Sequence, residues 1–575
     1  MKRRVDPITM QVIRYAMEQI ADEMGYTLVR TSRSTIIKEI MDITCAVFDE
    51  QGQTIAQAHH APMLLTGFEI TMKELVRRFR PETLHDGDII VCNDPYMGGQ
   101  HIMDLMTISP VRFKGRLIGF VANLAHQQDM GGSAPGGVAG GMTEIYQEGL
   151  RLPMVKLYKK GVEDQEIMAI IANQIRVPHV TIPDIRAQVS CNFVGIRRLK
   201  EVFAKYGPEV VRGCTRMLLD YSESRIREGL KRLPDGDFMG EDWIDNDGVT
   251  DKPVHIQVNI HKRGDKAVVD FEGTDAQVRG NINCPIATAY AAVYYTMIAV
   301  VDPHVPPNSG CYRPVKIEAR EGLIVNPRLP APVAARTNCS QKIVEAMMKA
   351  FAGIAPDRVM AGSHGQITTC AFSGYHPRTG KRFVYTDIQG GGAGGRWCKD
   401  GRDGQDSHLA RFMNTPIEAA ELEYPVRIER YEFMTDSGGA GRFRGGLALR
   451  RDVRVLHENM MLARYSDRQE FPPFGILGGK DGQKGRLVLN PGTPQERRLK
   501  AKGLEGLQQG DVVSMQVPGA GGYGDPLERD LAQIEADVRD GKVSVEAARR
   551  DYQVVIDPAG LRVDLDATKR LRQGA

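Results

Sequence analysis

Residues 89–132 read IIVCNDPYMGGQHIMDLMTISPVRFKGRLIGFVANLAHQQDMGG, and this stretch carries the clearest structural signals in the chain. The apolar run at 89–92 predicts a strand. Two further apolar runs, at 106–112 and 117–124, flank the turn Lys114-Gly115 and predict a β-hairpin. Such a hairpin would bring the residues before its first strand beside the residues after its second.

Two His-x-x-Asp units stand at the two ends of this hairpin. His101 precedes Asp104, and 25 residues after His101 the sequence repeats the pattern with His126 and Asp129. Imidazole and carboxylate together suit zinc, manganese or iron, and three protein ligands leave room for water or substrate at a catalytic metal. The spacing therefore predicts a divalent-metal site that draws its ligands from His101, Asp104, His126 and Asp129. It leaves open the alternative that these are ordinary hydrogen-bonded loop residues.

The rest of the chain mixes helical and strand patterns. Apolar residues recur at helical spacing over 8–32, 166–176 and 184–231, the last broken near Gly207-Pro208. Helices are also predicted over 285–301 and 341–353. We therefore expect an α+β (mixed α/β), multi-domain protein with a β-rich C-terminal domain and a helical C-terminal tail. The expected division is an N-terminal α/β metal-binding region at 1–235, a central α+β region at 236–424, a β-rich domain at 425–525 and the tail at 526–575.

Composition excludes several classes of function. With 75 basic and 72 acidic residues the net charge is only +3, which gives no electrostatic case for nucleic acid or an anionic membrane. No apolar run is long enough for a transmembrane helix. The nine cysteines contain no CxxC pair, which argues against a disulfide framework and a thiolate zinc cluster and favours the reducing cytoplasm.

No nucleotide site or nucleophile motif stands out. The glycine cluster at 390–395 is not followed by GxxxxGK[ST], and no GxGxxG opens a helix after a strand. We expect that cluster to be a tight structural turn. A GxSxG nucleophile elbow is also missing from the sequence.

Segments along most of the chain resemble the hydantoinase B / 5-oxoprolinase family, and they occur in the family's order. The quoted segments are NDPYMGGQHIMD at 93–104, AHQQDMGG at 125–132, TEIYQEGLR at 143–151, DFEG at 270–273, GNIN at 280–283, NTPIE at 414–418, DSGGAG at 436–441 with RGG at 444–446, and PGAGGYGDP at 518–526. The family also includes the large subunits of acetone and acetophenone carboxylases. In acetone carboxylase a His, an Asp three residues later and a second His 22 residues further hold manganese, and His101, Asp104 and His126 reproduce that spacing.

The resemblance implies a two-component enzyme. A hydantoinase A-type ATPase subunit, with ATP and magnesium, would phosphorylate a cyclic amide such as a hydantoin, an N-methylhydantoin or a 5-oxoproline-type lactam. The present chain would hold manganese, zinc or iron and hydrolyse the activated substrate within a hetero-oligomer.

Further roles are expected for residues near these segments. Asp129 would orient a ligand or serve as a fourth one, and Glu39, in a KExxD-like segment with Asp42, or His60 would be the general base. The residues expected to bind substrate are Asp94, Gly131, Gly132, Asn281 and Asn283. One departure concerns the family's PHxPxH segment, in which His60 is retained but the second histidine is Leu64.

Two alternatives to the hydrolase remain open. One is a subunit of an acetone- or acetophenone-type ketone carboxylase that joins an activated enolate to CO₂ at the same metal. The chain is shorter than the large subunit of acetone carboxylase, which favours the hydrolase. The other is a non-catalytic scaffold that docks the ATPase and binds no metal.

Overall fold

A computed structural model describes residues 6–65, 67–406 and 408–573. It confirms a multi-domain α+β fold. The helices are α1 Pro7–Thr31, α2 Thr35–Lys38, α3 Pro62–Leu65, α4 Gly67–Arg78, α5 Gln165–Gln174, α6 Pro178–Tyr206, α7 Pro208–Lys231, α8 Ile286–Val301, α9 Arg336–Ala352, α10 Ile417–Glu423, α11 Leu531–Arg539, α12 Val545–Tyr552 and α13 Leu565–Gln573. None of these combines the length and apolar character that a bilayer crossing requires.

The strands form five sheets. They are β1 Ile43–Phe48, β2 Thr54–Gln57, β3 Ile89–Cys92, β4 Asp104–Phe113, β5 Arg116–His126, β6 Val155–Lys159, β7 Val162–Glu163, β8 Gly236–Ile244, β9 Val254–Arg263, β10 Lys266–Asp270, β11 Val315–Glu318, β12 Thr368–Tyr375, β13 Arg382–Gln389, β14 Val426–Phe433, β15 Leu449–Val455, β16 Met460–Tyr465, β17 Arg486–Leu489, β18 Arg497–Leu499, β19 Gly503–Leu507, β20 Val512–Gln516, β21 Ile556–Asp557 and β22 Arg562–Val563. The strand orders are β2-β1-β5-β4-β3-β6-β7, β11-β10-β9-β8, β13-β12-β16-β19, β14-β15-β20-β17-β18 and β21-β22.

The predicted hairpin lies in the middle of the seven-stranded sheet. β4 pairs with β5, and the register sets Asp104, the first residue of β4, opposite His126, the last residue of β5. Helices α1 and α6 pack together, and α6 lies against β4 and β5. Long apolar strands buried by helices make this sheet rigid, so its paired strand ends hold Asp104 and His126 in fixed positions.

Helix α9 joins the second sheet to the site. It packs against β8 and β9, and the β8 backbone comes so close that a Cβ added at Gly240 would lie 2.0 Å from the Ala346 carbonyl oxygen. The helix begins at Arg336, five residues before the predicted start at 341. Helix α6 likewise begins at Pro178 rather than 184, and it continues through Pro183, an interior position where proline costs a backbone hydrogen bond.

The β-rich region shares a sheet with the chain that precedes it. Strands β12 and β13 come before residue 424, yet β12 pairs with β16, which in turn pairs with β19. One sheet thus takes strands from both sides of the division expected at 424/425. Because this sheet crosses one of the expected boundaries, the division of the chain into four regions stays a prediction.

The glycine-rich segments pack backbone against backbone. A Cβ at Gly392 would lie 2.1 Å from the Gly446 carbonyl oxygen, and one at Gly394 would lie 1.8 Å from that of Ala361. Only glycine permits such close approach. These contacts give the cluster at 390–395 a structural role. All nine cysteines are free, eight of them buried.

Candidate metal centre

The hairpin ends and a preceding turn bring three polar side chains together. Asp104 and His126 face each other across β4 and β5. His101 lies in the turn before β4, where the Asp104 backbone N–H donates to the His101 carbonyl oxygen at 3.0 Å. All three residues are buried, so their polar atoms meet one another rather than bulk water.

Three potential ligand atoms form a nearly equilateral triangle. His101 Nε2 lies 3.0 Å from Asp104 Oδ1 and 3.1 Å from His126 Nδ1, and His126 Nδ1 lies 3.3 Å from Asp104 Oδ1. Two atoms that each lie about 2.1 Å from one cation are about 3.0 Å apart at a right angle and about 3.4 Å apart at the tetrahedral angle. The edges of the triangle therefore match one face of a metal coordination sphere. The group is the one His/Asp/Glu/Cys cluster of the described residues with metal-ligand geometry.

The tautomer of His101 makes its Nε2 an acceptor. His101 Nδ1 lies 2.9 Å from the Ala334 carbonyl oxygen, which can only accept, so Nδ1 carries the proton. Burial, followed by the nearby Arg336 charge, lowers the pKa of His101 to about 4, so the imidazole is neutral at physiological pH. Its Nε2 lone pair then faces the Asp104 carboxylate at 3.0 Å. Two acceptors this close repel each other unless a cation or a shared proton lies between them.

Arg336 keeps Asp104 ionised. Its Nη2 donates to Asp104 Oδ2 at 2.6 Å, and both residues are buried. Burial raises the pKa of the Asp104 carboxyl, but His101 and Arg336 together outweigh burial and hold that pKa below its usual value. One carboxylate oxygen is thus fixed by the first residue of α9, and the other is left to face the two imidazoles.

A second carboxylate, Asp42, stands beside the triangle. It precedes β1, its carbonyl oxygen accepts from the His126 N–H at 3.0 Å, and its Oδ2 lies 3.5 Å from His126 Nδ1. Burial raises the pKa of Asp42 to about 7 against the opposing charge of His126. Its chemistry suits either an additional ligand or a proton acceptor.

The triangle opens onto a small cavity of about 40 Å³, lined by Asp42, His101, His126 and Arg336 and walled mainly by apolar and hydroxyl side chains. The apolar members are Met63, Val138, Ile367, Ile388 and Phe412, and the hydroxyl-bearing members are Thr337, Thr369, Thr386 and Tyr465. The Tyr465 hydroxyl is buried and has no hydrogen-bond partner among the described residues. Such a group can donate to a ligand at little desolvation cost.

Asp129 does not join the triangle. Its Oδ1 accepts from the backbone N–H groups of Gly131 and Arg176, both at 2.9 Å, and its Oδ2 accepts from Arg176 Nη1 at 3.0 Å. These contacts tie down the loop after β5. Gly131 and Gly132, which were expected to bind substrate, adopt positive φ angles of 87° and 83° within that loop. Neither lines the cavity, whereas Gly136 of the same loop does.

The other expected substrate-binding residues lie in supporting positions. Asn283 uses its amide on Val278, Gly280 and Pro332. Asn281 donates to the Ala139 carbonyl oxygen at 2.9 Å, while Asp94 caps the turn that begins at Pro95. None of the three lines the cavity.

Neither of the two expected bases lines the metal cavity. Glu39 is the C-cap residue that follows α2. His60 lines a different pocket with Tyr295 and Arg411 and packs against Gly25 of α1; burial lowers its pKa to about 4. Leu64, at the family's second histidine position, is buried in the core.

The sequence analysis did not predict a role at the metal site for Arg336, Ala334 or Tyr465, which lie far from the two His-x-x-Asp units in the sequence. Glu148 was also missed. Its Oε1 accepts from the N–H groups of Val333 and Ala334 at 2.7 and 2.8 Å, so it holds the carbonyl that orients His101. The TEIYQEGLR segment that contains Glu148 was the available signal.

Comparisons with known proteins establish the family and the fold of the chain. The chain is 34% identical to the caprolactamase subunit beta of Pseudomonas jessenii over 97% of both chains, and it matches the crystal structure of that ATP-dependent caprolactamase with a TM-score of 0.92, covering 99% of this chain and all of that one. It is 29% identical to 5-oxoprolinase 1 of Arabidopsis thaliana, covering 90% of this chain and 42% of that protein. A nucleotide-free acetone carboxylase, at 18% identity, shares the fold with a TM-score of 0.92 over the whole of this chain and 83% of that one. The Hydantoinase B/oxoprolinase family model matches residues 6–526, and the chain therefore belongs to that family.

Proposed function

We propose that this chain is the metal-binding subunit of an ATP-dependent hydrolase of cyclic amides, of the hydantoin, N-methylhydantoin or 5-oxoproline type. The observation that carries the proposal is the buried triangle of His101, Asp104 and His126 at the end of a rigid hairpin. The similarity to a caprolactamase subunit, 34% over almost the whole chain, supports a lactam as the substrate class.

The reaction needs two kinds of chemistry. A cyclic amide resists water, and phosphorylation of its oxygen by a partner ATPase gives an imidoyl phosphate, a much better electrophile. Water then adds to the ring carbon, and the C–N bond breaks as the ring nitrogen takes a proton and becomes an amine. A second water attacks the phosphorus of the acyl phosphate that remains, the P–O bond to the acyl group breaks, and phosphate is released. Overall, one water enters the new carboxylate and one enters the released phosphate.

A divalent cation held by His101, Asp104 and His126 would lower the pKa of a bound water and polarise the substrate oxygen. The chain's own residues serve this site in separate ways. Ala334 and Arg336 fix the orientation of His101 and Asp104. Asp42 lies where it can accept the proton of the attacking water.

Tyr465 supplies a hydrogen-bond donor on the wall of the cavity. Its hydroxyl can donate to the oxygen on which charge develops, which is the arrangement that stabilises an oxyanion. The apolar side chains beside it exclude bulk water and strengthen that interaction.

The ATP chemistry is assigned to a partner of the hydantoinase A type. No Walker-type loop occurs in the sequence, and the caprolactamase relative is itself named as a subunit beta. We therefore expect the isolated chain to hydrolyse no ATP and to form a stable hetero-oligomer with its ATPase.

The proposal is tested by following ATP loss and product formation together in the co-purified complex. Asp104→Asn removes a negative charge that imidazole ligands cannot supply, and His126→Ala removes the ligand from the second strand. Both variants should lose metal and product formation, while ATP hydrolysis on the partner continues uncoupled. Wild-type metal content and product formation in either variant would show the metal assignment to be wrong.

A further inference from the structure

A second pocket, with a volume of about 340 Å³, lies close to the metal cavity and carries a strongly basic rim. We call it the basic pocket. The residues that define it are Arg33, Gln128, His179, Arg378, Lys381 and Arg382. The two cavities share strand β13, where Val384 lines the basic pocket and Thr386, two residues further along, lines the metal cavity.

The rim cations form no side-chain ion pair within the described part of the chain. This holds for Arg33, Arg378, Lys381 and Arg382, although the charge of Arg33 acts on the Asp184 carboxylate. Arg378 donates to the Leu422 carbonyl oxygen and Arg382 lies over the Tyr375 ring. Glu423 is the acidic residue that lines the pocket, and Asp184 lies behind it, accepting from the Arg33 N–H at 2.6 Å. Basic groups thus outnumber acidic ones around this space.

A long helix adds its positive end to the pocket. The 29-residue helix α6 begins beside it, and the N-cap residue Val177 provides no side-chain cap. Val177, His179 and Val180 line the pocket. Pro178 has no N–H, and the Val180 and Thr181 N–H groups donate to the Val177 carbonyl oxygen, so the helix start contributes mainly its dipole, which attracts an anion.

Gln128 supplies an independent sign of a ligand. It is only 2% exposed and lines the pocket. Its Nε2 donates to the Val384 carbonyl oxygen, which fixes the orientation of the amide. Its Oε1 is buried and has no hydrogen-bond partner among the described residues. A buried acceptor without a partner is costly, and a ligand that brings a donor would satisfy it.

We propose that the basic pocket binds a phosphate group, either as inorganic phosphate or on a small phosphorylated molecule. Phosphate satisfies both features, because its anionic oxygens suit the arginine rim and the helix start, and hydrogen phosphate carries an O–H that can donate to Gln128 Oε1. Sulfate has the same shape and charge but no proton at neutral pH. Binding itself does not depend on the metal chemistry, although phosphate release beside the metal cavity would give it a use.

Titration calorimetry of sodium phosphate into the purified full chain, at about 0.15 M NaCl to screen non-specific attraction, tests the proposal. We expect one site that prefers phosphate to sulfate. Lys381→Ala combined with Arg382→Ala should weaken phosphate binding by about tenfold or more, and Gln128→Leu should reduce the preference over sulfate. The matched control, Lys569→Ala with Arg570→Ala on α13, removes the same charge from an exposed site elsewhere and should bind like wild type.

Asp104→Asn separates this site from the metal centre. Phosphate binding that survives in Asp104→Asn and is lost in the Lys381→Ala/Arg382→Ala variant supports the basic pocket, even if the hydrolase proposal fails. The reverse pattern would place the anion at the metal and overturn the assignment, as would no binding heat or equal affinity for sulfate. Methyl phosphate in a parallel titration distinguishes the sources. Tighter binding of the ester indicates a carried phosphoryl group, and tighter binding of inorganic phosphate indicates the free ion.

Discussion

The two His-x-x-Asp units have different roles in the structure. In the first His-x-x-Asp unit, Asp104 begins a strand and faces both imidazoles. In the second, Asp129 is followed by a glycine turn, and Gly131 and Arg176 occupy its carboxylate. The local hairpin spacing predicted that the two units meet, and the family resemblance indicated which three of their residues form the triangle. It could not predict the role of Asp129, because Arg176 reaches it from 47 positions away.

The KExxD-like segment holds two carboxylates, and the structure distinguishes them. Asp42 lines the metal cavity, whereas Glu39 does not. We expect Asp42→Asn to lower product formation by roughly 10²- to 10⁴-fold, the range for loss of a general base, and Glu39→Gln to stay near wild type. Metal content measured in parallel shows whether Asp42 also acts as a ligand. Loss of activity in Glu39→Gln with full activity in Asp42→Asn would reverse this assignment.

Tyr465→Phe removes one buried oxygen and nothing else. Because that hydroxyl has no partner among the described residues, its loss should leave thermal stability and metal content unchanged. If it donates to a developing oxyanion, kcat should fall by roughly 10²-fold with little change in KM. Tyr552→Phe is the matched control, since its hydroxyl is also buried and without a partner but belongs to the C-terminal tail. An equal kcat in both variants would remove Tyr465 from the mechanism.

At the level of elements, periodic apolar patterns predicted most helices and strands. The central hairpin, predicted at 106–112 and 117–124, is observed at Asp104–Phe113 and Arg116–His126. The first turns of α9 were missed because Arg336, Asn338 and Ser340 are polar and look like loop residues. They are nevertheless buried. Arg336 is tolerated there because it pairs with Asp104, a tertiary contact that no local pattern reveals.

Helix α9 depends on a close approach by strand β8. A methyl group at Gly240 would lie 2.0 Å from the Ala346 carbonyl oxygen, so the strand or the helix must move. Gly240→Ala should cost about 1–3 kcal/mol in stability, as overpacking does, and displace Arg336. Gly506→Ala, in strand β19, is the control because its added methyl meets nothing within 4 Å. Thermal unfolding of both variants checks this, and equal midpoints would contradict the packing described.

At the level of the whole molecule, the order of the strands along the chain did not predict which strands pair in each sheet. The third sheet combines β12 and β13 with β16 and β19, about 70 to 140 residues further along. Which strands pair depends on which strand edges meet in the folded chain. The alternating sequence pattern of a strand does not predict this, because the pattern is the same whichever strand lies beside it. The metal cavity is likewise built from residues far apart in the sequence, because Thr386 of β13 and Tyr465 of β16 both line it.

The most direct test of the central claim is to locate a metal in the chain itself. The chain is purified without chelators, its metals are quantified, and crystals are measured across the manganese, iron and zinc absorption edges. We predict about one equivalent of a divalent metal and a single anomalous peak about 2.1 Å from His101 Nε2, Asp104 Oδ1 and His126 Nδ1. A chain that takes up no metal on titration, or one whose peak lies away from these three atoms, would contradict the account.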